Sequence, residues 1–519
     1  MISRRSKDEG VNNGKERLER KRIQELEIKL KGMDKERSLK PYWYPMADGE
    51  QNEILPSLHK NVLRPGVTTK ALDYIVKLIC FTVIYFVLRM MYRLIYFGMK
   101  QTSVNPEFQN YISVAIVIGL FIIGIWIWYL RRPYPVYLVS FATSIPEDKY
   151  KVTNEEFTKI IEGTGSFEKE QLDFQKKLIS RTGLGEETYL PEALHRIPIT
   201  VSMADAREEV NIVMKLACDQ LFEQTKIDPT KDIDIVITNC SLFNPTPSMS
   251  AMLINMYKLK TTVKNYTLSG MGCSAGLVSI DLAKDLLQTY PNVNILVFST
   301  ENLTKNYYPG KVKGMLISNT LFRMGGAAIL LSNKRSWRNK AKFECVDTQR
   351  IHHGKYDDSY NAVFQYEDEE GIVGVKIGRE LLKCVTRALT QNLNLLMPRV
   401  ISYKEMIKFI IFFIKQKLGK IDSKEVFMPN FRETFQAFCI HAGGRAIVDG
   451  LQENLKLTDE DCMPSRATLY RFGNTSSSSV WYEMKFIERI DTLKKGDKVW
   501  QLAFGSGLKC NSVVWRKLN

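Results

Sequence analysis

Residues 269–285 read Ser-Gly-Met-Gly-Cys-Ser-Ala-Gly-Leu-Val-Ser-Ile-Asp-Leu-Ala-Lys-Asp, and a strand-like run, Val263 to Leu268, leads into them. The glycines stop the strand, and Cys273 stands where a helix begins. Leu277, Ile280, Leu282 and Leu286 then recur at helical spacing, which predicts one buried face. Small residues on both sides of Cys273 leave room for a substrate carbonyl to reach its sulfur. A thiol at a helix N-terminus feels the positive end of the macrodipole, which favours the nucleophilic thiolate. The competing reading is a buried structural cysteine in a Gly-rich turn. The surrounding chain decides between them.

The chain has 519 residues, enough for one large domain with appendages or two fused half-domains. Its formal charge of +16 suits an anionic membrane face or a nucleotide-bearing anion such as coenzyme A. There is no zinc-type Cys/His cluster and no RNA-binding aromatic signature, so nucleic acid is not expected as a partner. Nine scattered cysteines form no disulfide framework and fit a reducing compartment.

Two stretches, Ile75–Phe97 and Tyr111–Leu130, have about the ~20 residues that cross a bilayer. The second is free of charge. The first holds Lys77, Arg89 and Arg93; the outer two can snorkel, whereas Arg89 needs either a protein partner or a shallow or re-entrant segment. A two-helix membrane hairpin over 73–132 is expected, the alternative being one span plus an interfacial helix. Residues 1–72 carry 16 Lys+Arg against 11 Asp+Glu, and Arg131-Arg132 follow the second span. The positive-inside tendency then puts the N-terminus and the large C-terminal part in the cytosol. Residues 1–30 lack the apolar core of a cleavable signal peptide.

Residues 1–40 are polar with Glu/Lys and Glu/Arg pairs at i,i+4 spacing, and an irregular connector runs from Pro41 to Gly66. From Pro133, strand-like and helical stretches alternate, predicting an α/β layered fold. Strands are expected at Val136–Phe141, Ile233–Asn239, Asn294–Ser299, Ala327–Ser332, Ala437–Ile440 and Val499–Ala503. Helices are expected at Ala206–Phe222, Ser248–Lys258, Ser274–Thr289, Arg379–Asn394 and Arg445–Glu453. Met406–Ile414 is too short to span a bilayer and is either a buried helix or a membrane-facing lip. The final Arg516-Lys517-Leu518-Asn519 is either a dibasic retrieval signal or the end of a strand.

The order strand, chemically loaded residue, helix occurs at Cys273 and again at His441, which suggests two similar halves, 133–340 and 341–519. His441 sits in Phe438-Cys439-Ile440-His441-Ala442-Gly443-Gly444-Arg445, and Asn474 follows in Arg471-Phe472-Gly473-Asn474-Thr475-Ser476-Ser477-Ser478-Ser479. Taken singly, His441 reads as a structural histidine and Asn474 as an N-cap. Phe504-Gly505-Ser506-Gly507 is a flexible turn whose N–H groups are able to face an oxyanion.

Together these stretches resemble the membrane-bound 3-ketoacyl-CoA synthases of very-long-chain fatty acid elongation, within the thiolase-like condensing enzymes. The resemblance runs from about Pro133 to Leu518. Besides the stretches above, it is carried by Val136-Tyr137-Leu138-Val139, Gly183–Tyr189, Glu301-Asn302-Leu303-Thr304, Leu321–Asn333 and Ala503–Ser512. It implies a duplicated thiolase-like fold, layered αβαβα, behind a membrane anchor in the endoplasmic reticulum.

The resemblance also implies a Cys/His/Asn site working without cofactor or metal. Cys273 is the nucleophile that takes the acyl group from an acyl-CoA. His441 and Asn474 polarise the malonyl-CoA thioester as it loses CO2. The backbone at Cys273 and at Gly505, Ser506 and Gly507 holds the acyl oxygen. His352 matches a further family histidine, while two others are replaced by Ala437 and Tyr470. The implied partners are a second copy of the chain and a ketoacyl-CoA reductase, a dehydratase and an enoyl-CoA reductase. Two other readings share part of the pattern: a chalcone-synthase-like type III polyketide synthase with an acquired anchor, and an inactive acyl-binding scaffold of an elongase complex.

Overall fold

A computed structural model describes residues 133–420, 422 and 427–519, with 118–126 and positions 85, 89, 92, 93 and 96. The tail and connector expected over 1–72 lie outside the described residues, as does most of the expected hairpin. Within the second span, 118–126 is helical and exposes Leu120, Phe121 and Ile122. No helix among the described residues is long and apolar enough to cross a membrane. Residues 134–519 form one compact unit, and the described residues before them belong to another.

Thirteen strands appear in the second unit. They are β1 (Tyr137–Thr143), β2 (Lys151–Val152), β3 (Thr188–Tyr189), β4 (Ile235–Asn239), β5 (Lys264–Leu268), β6 (Asn294–Thr300) and β7 (Gly326–Ser332). After them come β8 (Phe343–His352), β9 (Val363–Glu367), β10 (Val373–Ile377), β11 (Ala437–Ile440), β12 (Lys498–Gly505) and β13 (Lys509–Lys517). Nine of them form one mixed sheet in the order β11-β12-β13-β8-β1-β7-β6-β4-β5. The pairs β4–β5, β4–β6 and β11–β12 are parallel; the other pairs are antiparallel.

Alternation along the strands divides the core into layers. Ile235 and Ile237 of β4, and Val499 and Ala503 of β12, face one central cluster that also contains Leu277, Ile280, Val480 and Trp481. Val236 faces an outer cluster under the helix Met203–Thr225, and Trp500 and Leu502 face another under Leu381–Val400 and Arg445–Leu455. The helices Ala275–Thr289 and Ser479–Ile490 are therefore enclosed between the two ends of the sheet. The succession is helix, sheet, helix, sheet, helix. β6 and β7 are buried along their whole length, which explains their unbroken apolar reading.

Each expected strand and helix is present with small shifts at its ends. Leu282 and Leu286 are half-buried flanks of the central cluster, whose contacts come from Leu277, Ile280, Ala283 and Leu287. Two strands of the nine-stranded sheet escaped the sequence reading, β8 and β13, as did the four short strands β2, β3, β9 and β10 of the two small sheets. Glu344, Asp347 and Arg350 on β8, and Lys509, Arg516 and Lys517 on β13, obscure the alternation. Arg516 and Lys517 stand in the β13 ladder, paired with Glu344 and Asp491, so this stretch ends a strand. Met406–Ile414 is not buried; it belongs to a helix, Tyr403–Lys417, with most of its apolar residues exposed.

Candidate active site

β5 and β11 are the two edge strands of the nine-stranded sheet, and each ends at a candidate residue. After β5 the chain makes a short turn, Gly272–Ser274, from which the helix Ala275–Thr289 departs. Gly272 has φ +65°, and a Cβ there would fall 2.4 Å from the Ser506 nitrogen. Only glycine lets the nucleophile turn and the Gly505–Ser506–Gly507 turn, which joins β12 to β13, come so close. A Cβ on Gly276 would meet the Ser477 carbonyl oxygen at 2.2 Å, so the helix start is pressed against the Ser476–Ser478 turn as well.

Ser476 links the parts. Its Oγ is 3.6 Å from the Cys273 sulfur and 3.0 Å from Glu301 Oε2. Its backbone N–H donates to Asn474 Oδ1 at 2.8 Å, and its φ is +57°, a left-handed conformation that this bond stabilises. Asn474 thus closes a turn ahead of the helix Ser479–Ile490, instead of capping that helix itself. Asn474 Nδ2 donates to the Gly443 carbonyl at 3.4 Å, and the Gly443 N–H donates to the His441 carbonyl at 2.7 Å. Cys273, Asn474 and the His441 segment are therefore joined by one path of contacts.

His441 and Asn474 are almost fully buried. Glu483, on the central helix, accepts from the Ala442 N–H at 3.2 Å and from Ser465 Oγ at 2.8 Å, and Ser465 Oγ in turn accepts from the Ile440 N–H. The backbone on either side of His441 is pinned while its ring is left free of these bonds. Nδ1 of that ring is buried without a hydrogen-bond partner. Burial pushes the imidazole down to about 4, so the ring is neutral near pH 7.

The expected helix-end thiolate is not the resting state. Burial pushes the Cys273 thiol up to about 12, the Glu301 carboxylate adds to that, and the Ser476 hydroxyl and the backbone act in the opposite direction. Burial thus favours the neutral form of both groups, the thiol and the imidazole.

His352 is placed elsewhere. It is exposed at the end of β8, opposite Lys509 of β13, and its Nδ1 accepts from the Gly354 N–H at 3.2 Å. Burial and then Lys509 and Arg350 lower its pKa. It flanks the Gly505–Gly507 turn and makes no hydrogen bond to Cys273, His441 or Asn474. Tyr470 packs on Gly185, and Ala437 begins β11.

Glu301 and Ser476 were not singled out as functional by sequence reasoning. Glu301, buried at the end of β6, also accepts from the Leu242 N–H at 2.9 Å and from the Ser241 N–H at 3.1 Å. It stands in the wall of an apolar cavity lined by Phe157, Ile160, Leu190, Leu194, Leu303 and Phe322. Leu242 belongs to that wall too. All eight cysteines among the described residues are unpaired, and no cluster among those residues is suited to a metal ion.

Residues 128–418 match the model of the FAE1/type III polyketide synthase-like proteins, and residues 432–517 match the C-terminal part of 3-oxoacyl-[acyl-carrier-protein] synthase III. The chain is 50% identical to 3-ketoacyl-CoA synthase 11 of Arabidopsis thaliana over 407 residues, 78% of this chain and 80% of that protein. It is 45% identical to 3-ketoacyl-CoA synthase 4 of the same plant over 422 residues, 81% of each. Among solved structures, the C-terminal type III polyketide synthase domain of Steely1 from Dictyostelium superposes with a TM-score of 0.60 at 18% identity. That likeness covers 74% of this chain and all of that domain, and establishes a thiolase-like fold. At 50% identity to a 3-ketoacyl-CoA synthase over an alignment that covers four fifths of that protein's length, the chain belongs to the 3-ketoacyl-CoA synthases of the FAE1/type III polyketide synthase-like family.

Proposed function

We propose that the protein condenses malonyl-CoA with a long- or very-long-chain acyl-CoA, giving a 3-ketoacyl-CoA two carbons longer, CO2 and CoA. The observation that carries this reading is the contact path Cys273–Ser476–Asn474–Gly443 beside His441, inside a chain of this family.

In the first step the Cys273 sulfur attacks the thioester carbonyl, and the thiol proton ends on the departing CoA thiolate. Proton and leaving group balance, so no permanent base is required of a thiol pushed up to about 12. The Ser476 hydroxyl, which donates to the sulfur at 3.6 Å, is the group through which that proton passes. In the second step malonyl-CoA loses CO2, and negative charge moves to its thioester oxygen. A neutral His441 N–H and the Asn474 amide are donors that favour that enolate over the ground state. The carbanion then attacks the acyl-cysteine, whose oxygen is held by N–H groups at Cys273 and the Gly505–Gly507 turn; the carbon–sulfur bond breaks, the 3-ketoacyl-CoA leaves, and the Cys273 thiolate takes up a proton from water. His352 acts from outside this set, through that turn. No cofactor or metal enters either step.

The cavity beside Glu301 receives the start of the acyl chain, since its wall is apolar and reaches the carboxylate bridged to Cys273. The two halves, 133–340 and 341–519, supply the nucleophile and the His/Asn pair respectively. We place the protein in the endoplasmic reticulum membrane by spans 75–97 and 111–130, with the N-terminus and the condensing unit in the cytosol. It acts as a homodimer and hands its product to a ketoacyl-CoA reductase, a dehydratase and an enoyl-CoA reductase.

The test is extension of a panel of acyl-CoAs with labelled malonyl-CoA in microsomes, alongside Cys273→Ala. One two-carbon extension, absent in the variant, supports the reading. Several successive condensations point to a polyketide synthase, and no product from folded, membrane-bound protein points to a scaffold.

A further inference from the structure

The helix Tyr403–Lys417 is out of place for a core element. Ile407, Phe409, Ile410, Ile411, Phe413 and Ile414 are each 47–58% exposed, and Tyr403 is more exposed still. Isolated exposed apolar residues are ordinary, but a contiguous group of this size marks a surface that meets something apolar. The helix is well formed nonetheless. Ser402 caps it by accepting from the Glu405 N–H, and Glu405 turns inward, where it accepts from Lys408 Nζ and from the Asn430 N–H. Phe427 packs on Phe409 and Phe412. These contacts hold one side and leave the other uncovered.

At 3.6 residues per turn, Tyr403, Ile407, Ile410, Ile414 and Leu418 share one side, and Phe409 and Phe413 widen it. Lys404, Lys408 and Lys415 run along one border of this arc. Residues 403–420 hold five lysines and one acidic residue, Glu405, which is buried and paired. An apolar arc of aromatic and branched aliphatic residues bordered by lysine is the pattern of a helix lying in the plane of a bilayer, its apolar side among the acyl chains. The same lysines argue against a second copy of the chain, because self-association would bring two clusters of like charge together.

We propose that the helix Tyr403–Lys417 is a membrane-interfacial helix of the condensing unit itself, with an anionic bilayer surface as its occupant. The contact is distinct from the expected hairpin at 73–132 and does not depend on the condensation chemistry. It fixes one face of the condensing unit against lipid.

The experiment uses the full chain carrying the photoreactive residue p-benzoylphenylalanine in place of Phe413, or in place of Tyr360, which is similarly exposed outside this helix. Each protein is reconstituted in phosphatidylcholine vesicles with or without phosphatidylserine, irradiated, and its adducts are identified by mass spectrometry. The proposal expects lipid adducts at position 413 and not at 360. Their yield should be at least about fivefold higher with phosphatidylserine, the scale of one lysine near an anionic surface. Adducts from 413 to a second copy or to another segment of this chain would overturn it. So would the absence of lipid adducts, equal lipid labelling from 413 and 360, or a yield indifferent to phosphatidylserine.

Discussion

The two junctions at the edges of the sheet follow one plan and do different work. After β5, the turn Gly272–Ser274 delivers Cys273 directly to the start of a helix, pressed against Ser506 and Ser477. After β11, His441 comes at once, and Ala442, Gly443 and Gly444 separate it from the helix Arg445–Leu455. Cys273 keeps some exposure, whereas His441 is nearly sealed. Burial moves both groups towards their neutral forms, the thiol up to about 12 and the imidazole down to about 4. Under the proposed function the difference is a division of labour: one junction exposes the atom proposed to form the covalent bond, and the other conceals the neutral donors proposed to face an enolate.

The most severe break is Cys273→Ala, expected to reduce extension by about four orders of magnitude or more. Labelled malonyl-CoA incorporation measures it, and an unchanged melting temperature would show that only the chemistry was lost. Next, Asn474→Asp separates the junctions, because it keeps the side-chain oxygen that accepts from the Ser476 N–H and removes only the amide donor. Condensation should fall by about 10²–10³, the scale of one oxyanion donor, while labelled acyl-CoA still loads the protein. Equal losses in loading and condensation would refute the division.

Ser476→Ala sharpens the first junction. Removing the hydroxyl between the sulfur and Glu301 should slow acyl loading about tenfold, or ~1.4 kcal/mol of barrier, in rapid-quench measurements. A change confined to condensation would assign Ser476 to Asn474 instead. The second junction has a stability signature. His441 titrates lower when folded than when unfolded, so the unfolded chain binds the extra proton first as pH falls. Stability present above pH 6.5 is lost progressively between about 6.5 and 4. The pH dependence of the melting temperature should be steeper in that window for the natural protein than for His441→Gln. The smallest effect concerns packing: Gly272→Ala places a methyl against Ser506 N in a left-handed conformation, costing about 1–3 kcal/mol, visible as a lowered melting temperature.

Much of this was legible in the sequence because the signals were local. Glycines flanking Cys273 and following His441 mark backbone that must bend sharply, and unbroken apolar runs mark the central strands β6 and β7. Ser476 was hidden among four successive serines, since its role depends on a left-handed turn made by Asn474. Glu301 looked like any acidic residue after a strand; its importance comes from amides at Ser241 and Leu242, some sixty residues earlier in the chain. The thiol expectation erred because helix-end position is read from sequence, whereas burial by distant segments is not. β8 and β13 went unread because charged residues on their accessible sides obscure the period of two. The exposed helix Tyr403–Lys417 carries the apolar composition of a core segment, and only the structure shows that nothing in the described chain covers it.

The most direct test of the divided site is to incubate Asn474→Asp protein, which keeps the acceptor for the Ser476 N–H, with an acyl-CoA and malonyl-CoA and map the acyl group by peptide mass spectrometry. The account predicts an acyl thioester on Cys273 that accumulates without conversion to a 3-ketoacyl product. An acyl group on another cysteine, or a Cys273 that never loads, would contradict it.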